Sequence, residues 1–581
     1  MKSRAADHIG EWRMRAVAAV LLTMLVLLVW RLVWLQMLDT ERGYRFLQEQ
    51  GNARSLRVES IPANRGIITD RHGEPLAVST PVQTLWANPK ILTEQVENWQ
   101  PLAAALGMEE QELKRRIAAV ANKGFVYLRR RMRPADAAAV LALGTPGIAA
   151  QREYQRYYPA GEVTAHVVGF TNVDDHGQEG IELAFDNWLA GANGSKEVIK
   201  DLYGHVIRNV REIRPVQPGK DLRLGVDLRV QYFAYRELKK AVQAAGAESG
   251  SIIVLDARSG EVLAMANQPS YNPNNRESIG GGALRNRALT DLFEPGSTVK
   301  PFTMMAALES GKYHTDTLID TNPGYIRVGR KTFRDHHNYG VLRLGGVITK
   351  SSQVGTTKIA MSLNQSDIRD VFRRAGFGVS VGTGFPGESV GILPNYRRWS
   401  DVARANFAFG YGLSVTPMQL ARAYALLASR GEERQITMLK KGEAGEVTEA
   451  RGIYPREHVE QLVAMMETVT QTGGTAVKAA IPGYSVAGKT GTVHRLAEHG
   501  GYEADRYVSL FAGFAPAQDP RVVCVVIVSD PQGGIYYGGA IAAPVFSAVV
   551  RAALRLMNVP PDKLQQPPVL VAEHAAVKAP A

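Results

Sequence analysis

The sequence predicts an α+β protein on one membrane helix, and three observations predict it. Strand-like apolar runs stand at both ends of the C-terminal half with amphipathic helical patterns between them, so distant parts of the chain complete one sheet. A long, nearly uncharged run lies close to the N-terminus. The polar stretch RPVQPGKDLRLGVD, near residues 214–227, separates two regions of different texture. The expected divisions are a short tail (1–15), a membrane segment (16–38), a first outer region (39–220), a second outer region (221–558) and a Pro- and Ala-rich tail (559–581) expected to be disordered.

At 581 residues the chain exceeds what one core supports. Its 68 basic and 56 acidic residues give a formal charge of +12, which suits an anionic partner such as nucleic acid, phospholipid headgroups or an acidic polymer. The charges are interspersed, and no basic stripe carries interleaved aromatics, which argues against nucleic acid. The single cysteine, Cys524, rules out an internal disulfide and a thiolate metal cluster; its setting, RVVCVVIV, predicts a buried, inert thiol.

The run from Ala16 to Leu38 is interrupted only by Arg31 and Gln36. At about 1.5 Å per residue it covers roughly 34 Å, enough to cross a bilayer. A cleaved signal peptide is the rival reading, but DTERGYRF, which follows, has no small-x-small cleavage site. Lys2, Arg4, Arg13 and Arg15 precede the run, so the positive-inside rule puts the N-terminus in the cytoplasm. Trp30 and Trp34 suit the outer interface, to which Arg31 can snorkel.

Beyond the membrane segment, residues 39–54 are polar and could continue the helix. Ile67–Thr69 and Leu76–Val78 flank the turn residues Asp70–Gly73 as a hairpin. Helical patterns occupy roughly 93–143. DLRVQYFAYRELKKAVQAAG reads as an amphipathic helix, GSIIVLDARSGEVLAMAN as strand, turn and strand, YVSLFAGFAPAQDPRVVCVVIVSD as two further strands, and APVFSAVVRAALRLM as a closing helix. There is no internal repeat.

Three stretches carry chemistry. In EPGSTVKPFTMMAALESG (294–311), Pro295 and Gly296 make a turn, Ser297 falls in the first turn of a helix and Lys300 lies three residues on, on the same face. A serine hydroxyl becomes a nucleophile when a base takes its proton, and a lysine is such a base when burial or a neighbouring cation lowers its pKa. Read alone, the same letters describe a helix cap and a solvated lysine. In YSVAGKTGTVHRL, Lys489, Thr490, Gly491 and Thr492 form a small, polar interruption of a strand. There a peptide-like ligand could lie, with Gly491 making room, Thr492 offering an N–H and a hydroxyl, and Lys489 supplying charge; a solvated hairpin edge is the plain alternative. KSSQVGTTKIA (350–360) places Ser351, Ser352 and Gln353 ahead of a helical run.

Together, in this order, the three resemble the Ser-x-x-Lys, Ser-x-Asn and Lys-Thr-Gly motifs of penicillin-binding proteins and serine β-lactamases. RGIITDRHGEPLAVS (65–79), RYYPAGEVTAHVVGFT (156–171) and FGYGLSVTPMQLARAYA from Phe409, with the anchor, resemble the class B penicillin-binding proteins of the division (septal) type. The resemblance implies a cytoplasmic tail, one helix in the bacterial inner membrane, an elongated β-rich periplasmic pedestal of the dimerisation-domain kind at 39–220, and a transpeptidase domain at 221–558, with a central antiparallel sheet flanked by helices. The stretch between anchor and linker matches a pedestal and leaves no room for a glycosyltransferase domain.

It also implies acyl transfer on a D-Ala-D-Ala stem peptide without metal or cofactor. Ser297 is the nucleophile, Lys300 its base, held neutral by burial and by repulsion from Lys489. Ser351 is the proton relay, and Lys489, Thr490, Gly491 and Thr492 hold the substrate. The backbone N–H groups of Ser297 and Thr492 make the oxyanion hole. β-Lactams are covalent inhibitors, with Tyr536 and Tyr537 either a wall for such ligands or buried core tyrosines. Partners implied are peptidoglycan stem peptides, a multi-spanning glycan polymerase and other division proteins.

Two positions depart from the family. Gln353 stands where Asn is usual, with the same donors and acceptor on a longer stem; Ser362-Leu363-Asn364 matches by letter but lacks the surrounding Lys-Ser-Ser-x-Val-Gly. His494 stands where Arg or Lys is usual, which predicts ligand binding that strengthens in acid. A β-lactamase, with Glu388 as the nearest acid for activating water, is one rival function; an inactive division scaffold or penicillin sensor is another. Shortening Gln353 to the usual amide, Gln353→Asn, is expected to speed β-lactam acylation in a stopped-flow assay, and an equal or slower rate shows that the glutamine is already accommodated.

Overall fold

The structure is a computed structural model that describes residues 10–36, 56–200, 206–277, 280, 282–395, 399–442, 450–497 and 501–563. Helix α1 (Glu11–Gln36) carries a long exposed apolar stretch, with a mean hydropathy of 2.5 over its most apolar 18 residues, long and apolar enough to span a bilayer. Arg31 lies over the Trp34 ring at 4.3 Å. The polar stretch 39–54, expected to prolong this helix, lies outside the described residues.

Contacts divide the chain into two compact units that do not follow chain order. The first comprises the described residues up to 64, 80–155 and those of 191–218. Here β1 (Leu56–Ile61), β2 (Gly194–Lys200) and β3 (Val206–Arg214) form an antiparallel three-stranded sheet in sequence order. A separate apolar core gathers Leu92, Leu102, Leu113 and Ile117 from short helices, with Leu128 and Val140. The helical reading of 93–143 needs a correction: Val126–Met132 is a strand. VYLRRRM pairs with Pro75–Ala87, and sheet pairing overrides the high helix propensity of its arginines.

The second unit takes Arg65–Ser79, Arg156–Ala190 and the described residues from Gly219 on. Two segments that precede the linker in sequence therefore pack with the C-terminal region. One buried ion cluster ties them together. Glu182 accepts from Arg65 Nε at 2.6 Å and from Arg156 Nε at 2.7 Å, with all three side chains at most 1% exposed. Removing one partner from such a cluster costs about 3–5 kcal/mol, because the others stay buried and charged. The hairpin read from the sequence is present, with Ile68 opposite Ala77 and Thr69 opposite Pro75.

The rest of this unit is layered. After α2 (Leu228–Ala244), β4 (Ser249–Asp256) and β5 (Val262–Gln268) pair antiparallel; β6 (Ala487–Leu496), β7 (Tyr502–Ala515) and β8 (Val522–Ser529) return from far along the chain to give the order β5-β4-β8-β7-β6. Strands β4 and β8 are buried on both faces, as their unbroken apolar runs require. Cys524 is fully buried in β8, and burial raises its thiol pKa. α2 and the closing helix (Gly538–Leu556) pack on this sheet and on each other. Val559–Lys563, placed by sequence in a disordered tail, instead dock: Tyr484 donates to the Val559 carbonyl at 2.7 Å, and Asp562 accepts from Ser485 N–H at 2.8 Å. The remainder of that tail lies outside the described residues.

Candidate active site

Ser297 sits in a 3-10 turn, Gly296–Val299, that runs straight into the helix Lys300–Glu309, with Pro301 harmless in its first turn. The turn is pressed against β6. Gly296 has φ +54°, and a Cβ there would lie 2.2 Å from Val493 Cγ1. Tyr424, buried and packed against Phe302, donates to the Thr298 carbonyl at 2.8 Å and fixes the turn from behind.

KSSQVG is a junction between two helices. Leu344–Thr349 ends in a Schellman pattern: Ser351 N–H donates to Ile348 O at 3.1 Å and Ser352 N–H to Val347 O at 3.0 Å. The left-handed position falls on Ser351, φ 56°, where glycine is the usual occupant. Ser352 is the N-cap of the next helix, Gln353–Ser362, its Oγ accepting from Gly355 N–H at 2.8 Å. Asp335 completes the cap by accepting from Ser352 Oγ at 2.6 Å, Gln353 N–H at 2.5 Å and Val354 N–H at 3.1 Å.

The strained serine is where two buried lysines meet. Lys300 Nζ donates to the Ser351 carbonyl at 2.5 Å and to its hydroxyl at 3.3 Å; Lys489 Nζ donates to the same hydroxyl at 2.9 Å and to the Thr490 carbonyl at 3.1 Å. Both lysines are 0% exposed. Burial lowers Lys300 from 10.5 to about 7, against a smaller opposing pull from Asp335. Lys489 is lowered well below its ordinary value, by burial first and by the charge of Lys300 second. The repulsion expected at Lys300 thus falls on Lys489, while burial does most at Lys300.

A cavity of about 760 Å³ opens over this network. Ser297, Ser351, Gln353, Thr490, Thr492, Tyr536 and Tyr537 all line it. On β6, the edge strand of its sheet, Thr490, Thr492 and His494 face the cavity with period two, while Gly491 and Val493 face the other way. This corrects the reading of Gly491. A Cβ there would come within 2.8 Å of Leu510 Cδ1 and 3.0 Å of Thr298 Cγ2, so its bareness seats the Ser297 turn instead of a ligand. Thr492 Oγ1 accepts from Gly538 N–H at 3.1 Å, and Thr490 shares a 3.0 Å hydrogen bond with Thr475.

Tyr536 and Tyr537 are not buried core residues; Tyr537 is 47% exposed. Tyr536 stacks on Tyr507 at 3.9 Å between centroids and on Tyr537 at 4.7 Å, and His494 leans on Tyr507 at 4.6 Å, giving one aromatic wall. Sequence reasoning missed Tyr507, Asp335 and His336, which also line the cavity. The cluster RDHHNYG (334–340) was the available signal for two of them. Ser362 instead bonds Tyr313 at 2.6 Å, Asn364 caps the next helix, and neither lines this cavity. Glu388 accepts from Ser380, Thr383 and the N–H groups of Val381, Gly382 and Thr383 within its own loop, does not line the cavity, and has its pKa lowered despite burial by these bonds.

A left-handed conformation costs a residue with a Cβ roughly 1–2 kcal/mol. Ser351→Gly and Ser351→Ala both remove the hydroxyl, so they differ chiefly in the backbone. The glycine variant is expected to be the more stable by about 1 kcal/mol in denaturant unfolding. A more stable alanine variant contradicts this account of the junction.

Residues 250–551 match the penicillin binding protein transpeptidase domain, and residues 60–224 match the penicillin-binding protein dimerisation domain. The chain is 44% identical over 568 residues to the peptidoglycan D,D-transpeptidase FtsI of Escherichia coli K12, covering 97% of this chain and 95% of that one. It is 41% identical over 540 residues to the probable peptidoglycan D,D-transpeptidase PbpC of Pseudomonas aeruginosa, covering 93% and 94%. Among solved structures, the transpeptidase domain of Burkholderia pseudomallei penicillin-binding protein 3 aligns with a TM-score of 0.54 at 38% identity, covering 58% of this chain and 97% of that one. Penicillin-binding protein 3 of Mycobacterium tuberculosis, complexed with aztreonam, aligns at 0.66 with 27% identity over 88% of this chain and all of that one. On this agreement of motif, fold and sequence, the chain belongs to the penicillin-binding protein transpeptidases, with the dimerisation domain of that family ahead of the transpeptidase domain.

Proposed function

We propose that the protein is a serine D,D-transpeptidase that cross-links peptidoglycan stem peptides in septal wall synthesis. The observation that carries the reading is the meeting of Lys300 and Lys489 on Ser351 at the floor of the cavity that Ser297 lines. Ser297 Oγ attacks the carbonyl carbon of the penultimate D-alanine while Lys300, lowered to about 7 and so largely neutral above that pH, takes its proton. The oxyanion forms toward the backbone N–H groups of Ser297 and Thr492.

Departure of the terminal D-alanine breaks the C–N bond and needs a proton on nitrogen. The Ser351 hydroxyl is suited to deliver it, because both lysines donate to its oxygen and leave its own O–H to point elsewhere. The proton is replaced along the same contact from the protonated lysine. Thr490 and Thr492 hold the terminal carboxylate, with Lys489 buried behind them on Ser351, Gln353 holds the peptide amide, and Tyr536 and Tyr537 the flank. An amine of a neighbouring stem then attacks the ester, which forms the cross-link and returns Ser297. Gly491 acts only by seating the nucleophile's turn.

The N-terminal helix anchors the chain in the inner membrane with the bulk in the periplasm, beside a multi-spanning glycan polymerase and other division proteins. A β-lactamase reading is disfavoured because Glu388 is engaged within its own loop. Mass spectrometry of the protein after treatment with benzylpenicillin is expected to find one stable adduct, on Ser297. Ser297→Ala is expected to lose both the adduct and cross-linking; cross-linking that persists in that variant contradicts the mechanism, and an adduct on another residue overturns the site.

A further inference from the structure

Along the outside of the domain, two further cavities follow the reaction cavity. At its rim, Ala540 belongs also to a second cavity of about 440 Å³, between the end of α2 and the start of the closing helix Gly538–Leu556, lined by Ile535, Ile541, Pro544 and Val545. Glu237 in turn is shared with a third, of about 540 Å³, between the start of α2 and the end of the closing helix. Each cavity shares one lining residue with the next, so the three lie in a row beside two antiparallel helices, over roughly 23 Å at 1.5 Å per residue from Ala540 to Arg555.

The track changes character along its length. Its near part is apolar, with Ile535 61% exposed; its far part carries Arg236, Arg551 and Arg555 against the single acid Glu237. Arg236 is occupied, since it pairs with Glu237 at 2.6 Å and lies over the Phe233 ring at 4.7 Å. Arg551 and Arg555 have no acidic partner among the described residues. Lys240 adds a further positive charge where the two parts join. The lining of the far part is therefore net positive, in a cavity two steps along from the site.

We propose that this groove is a subsite for the acidic polymer that carries the stem peptides, gripping the strand on the far side of the residues being joined. The inference rests on the transpeptidase reading. A free stem peptide is too short to use the groove, whereas a strand that enters the cavity by one stem lays its next repeats over the apolar stretch and its carboxylates against Arg551 and Arg555. Binding at two linked points raises the local concentration of stems at Ser297.

The test uses the full-length protein in detergent and soluble, uncross-linked peptidoglycan strands as the probe. Charge reversal at the exposed arginines, Arg551→Glu with Arg555→Glu, is expected to weaken strand binding at least tenfold relative to turnover of a free D-Ala-D-Ala peptide, and wild-type binding is expected to weaken as salt rises. Unchanged strand binding, or an equal loss on strand and free peptide, overturns the proposal. Tightening of strand binding on truncation after Lys563 assigns the groove to the chain's own C-terminal segment and overturns it too, as does reversal-sensitive binding to anionic lipid vesicles without any effect on strands. Loss of free-peptide turnover in the unmutated protein is a different result and counts against the transpeptidase reading itself.

Discussion

Two lysine side chains buried out of water, both donating to one serine hydroxyl, set the terms for everything around them. A buried ammonium is costly unless its charge is spread or given up, and two cannot both keep theirs at such short range. Burial therefore lowers the pKa of both Lys300 and Lys489 over Ser351, and a lysine that is neutral near pH 7 is the base that acyl transfer needs. The serine that receives them is held left-handed at a helix end, so the backbone carries strain to bring its carbonyl and hydroxyl to Lys300 together.

The surroundings serve to keep this arrangement dry and close. The nucleophile's turn lies against β6 with no Cβ on either Gly296 or Gly491 to hold it off, and Tyr424 backs it from the core. Asp335 and Ser352 cap the helix behind Ser351 and so fix the junction from the other side. β6 is an edge strand, and alternate residues divide its work: Thr490, Thr492 and His494 look into the cavity while Gly491 and Val493 meet the turn.

What was legible in the sequence was local. Ser297 and Lys300 are three apart on one helix, Lys489 to Thr492 run along one strand, and strand-like runs such as RVVCVVIV are continuous, so pattern alone located them. What was hidden depends on residues far apart in the chain. Asp335 becomes a cap only when a distant helix start meets it, Glu182 is an ordinary acid until Arg65 and Arg156 close on it, and Gly491 looks like space for a ligand until Thr298 occupies the other side. Tyr536 and Tyr537 were open to two readings because nothing in QGGIYYGG says that Tyr507 will stack beneath them. The strand at Val126–Met132 was missed for the same reason, since its pairing partner lies some forty residues earlier.

The central claim is that Lys300 is neutral in the resting protein near physiological pH because it is buried. Titration of side-chain carbon resonances in protein labelled at lysine, with Lys300→Met to assign the signal, measures this directly. Its folded pKa lies below the unfolded value, so the group should release its proton as pH rises through about 7, and acylation should fall as pH drops through the same range. A Lys300 signal that titrates near 10.5, like a solvated lysine, would contradict the account.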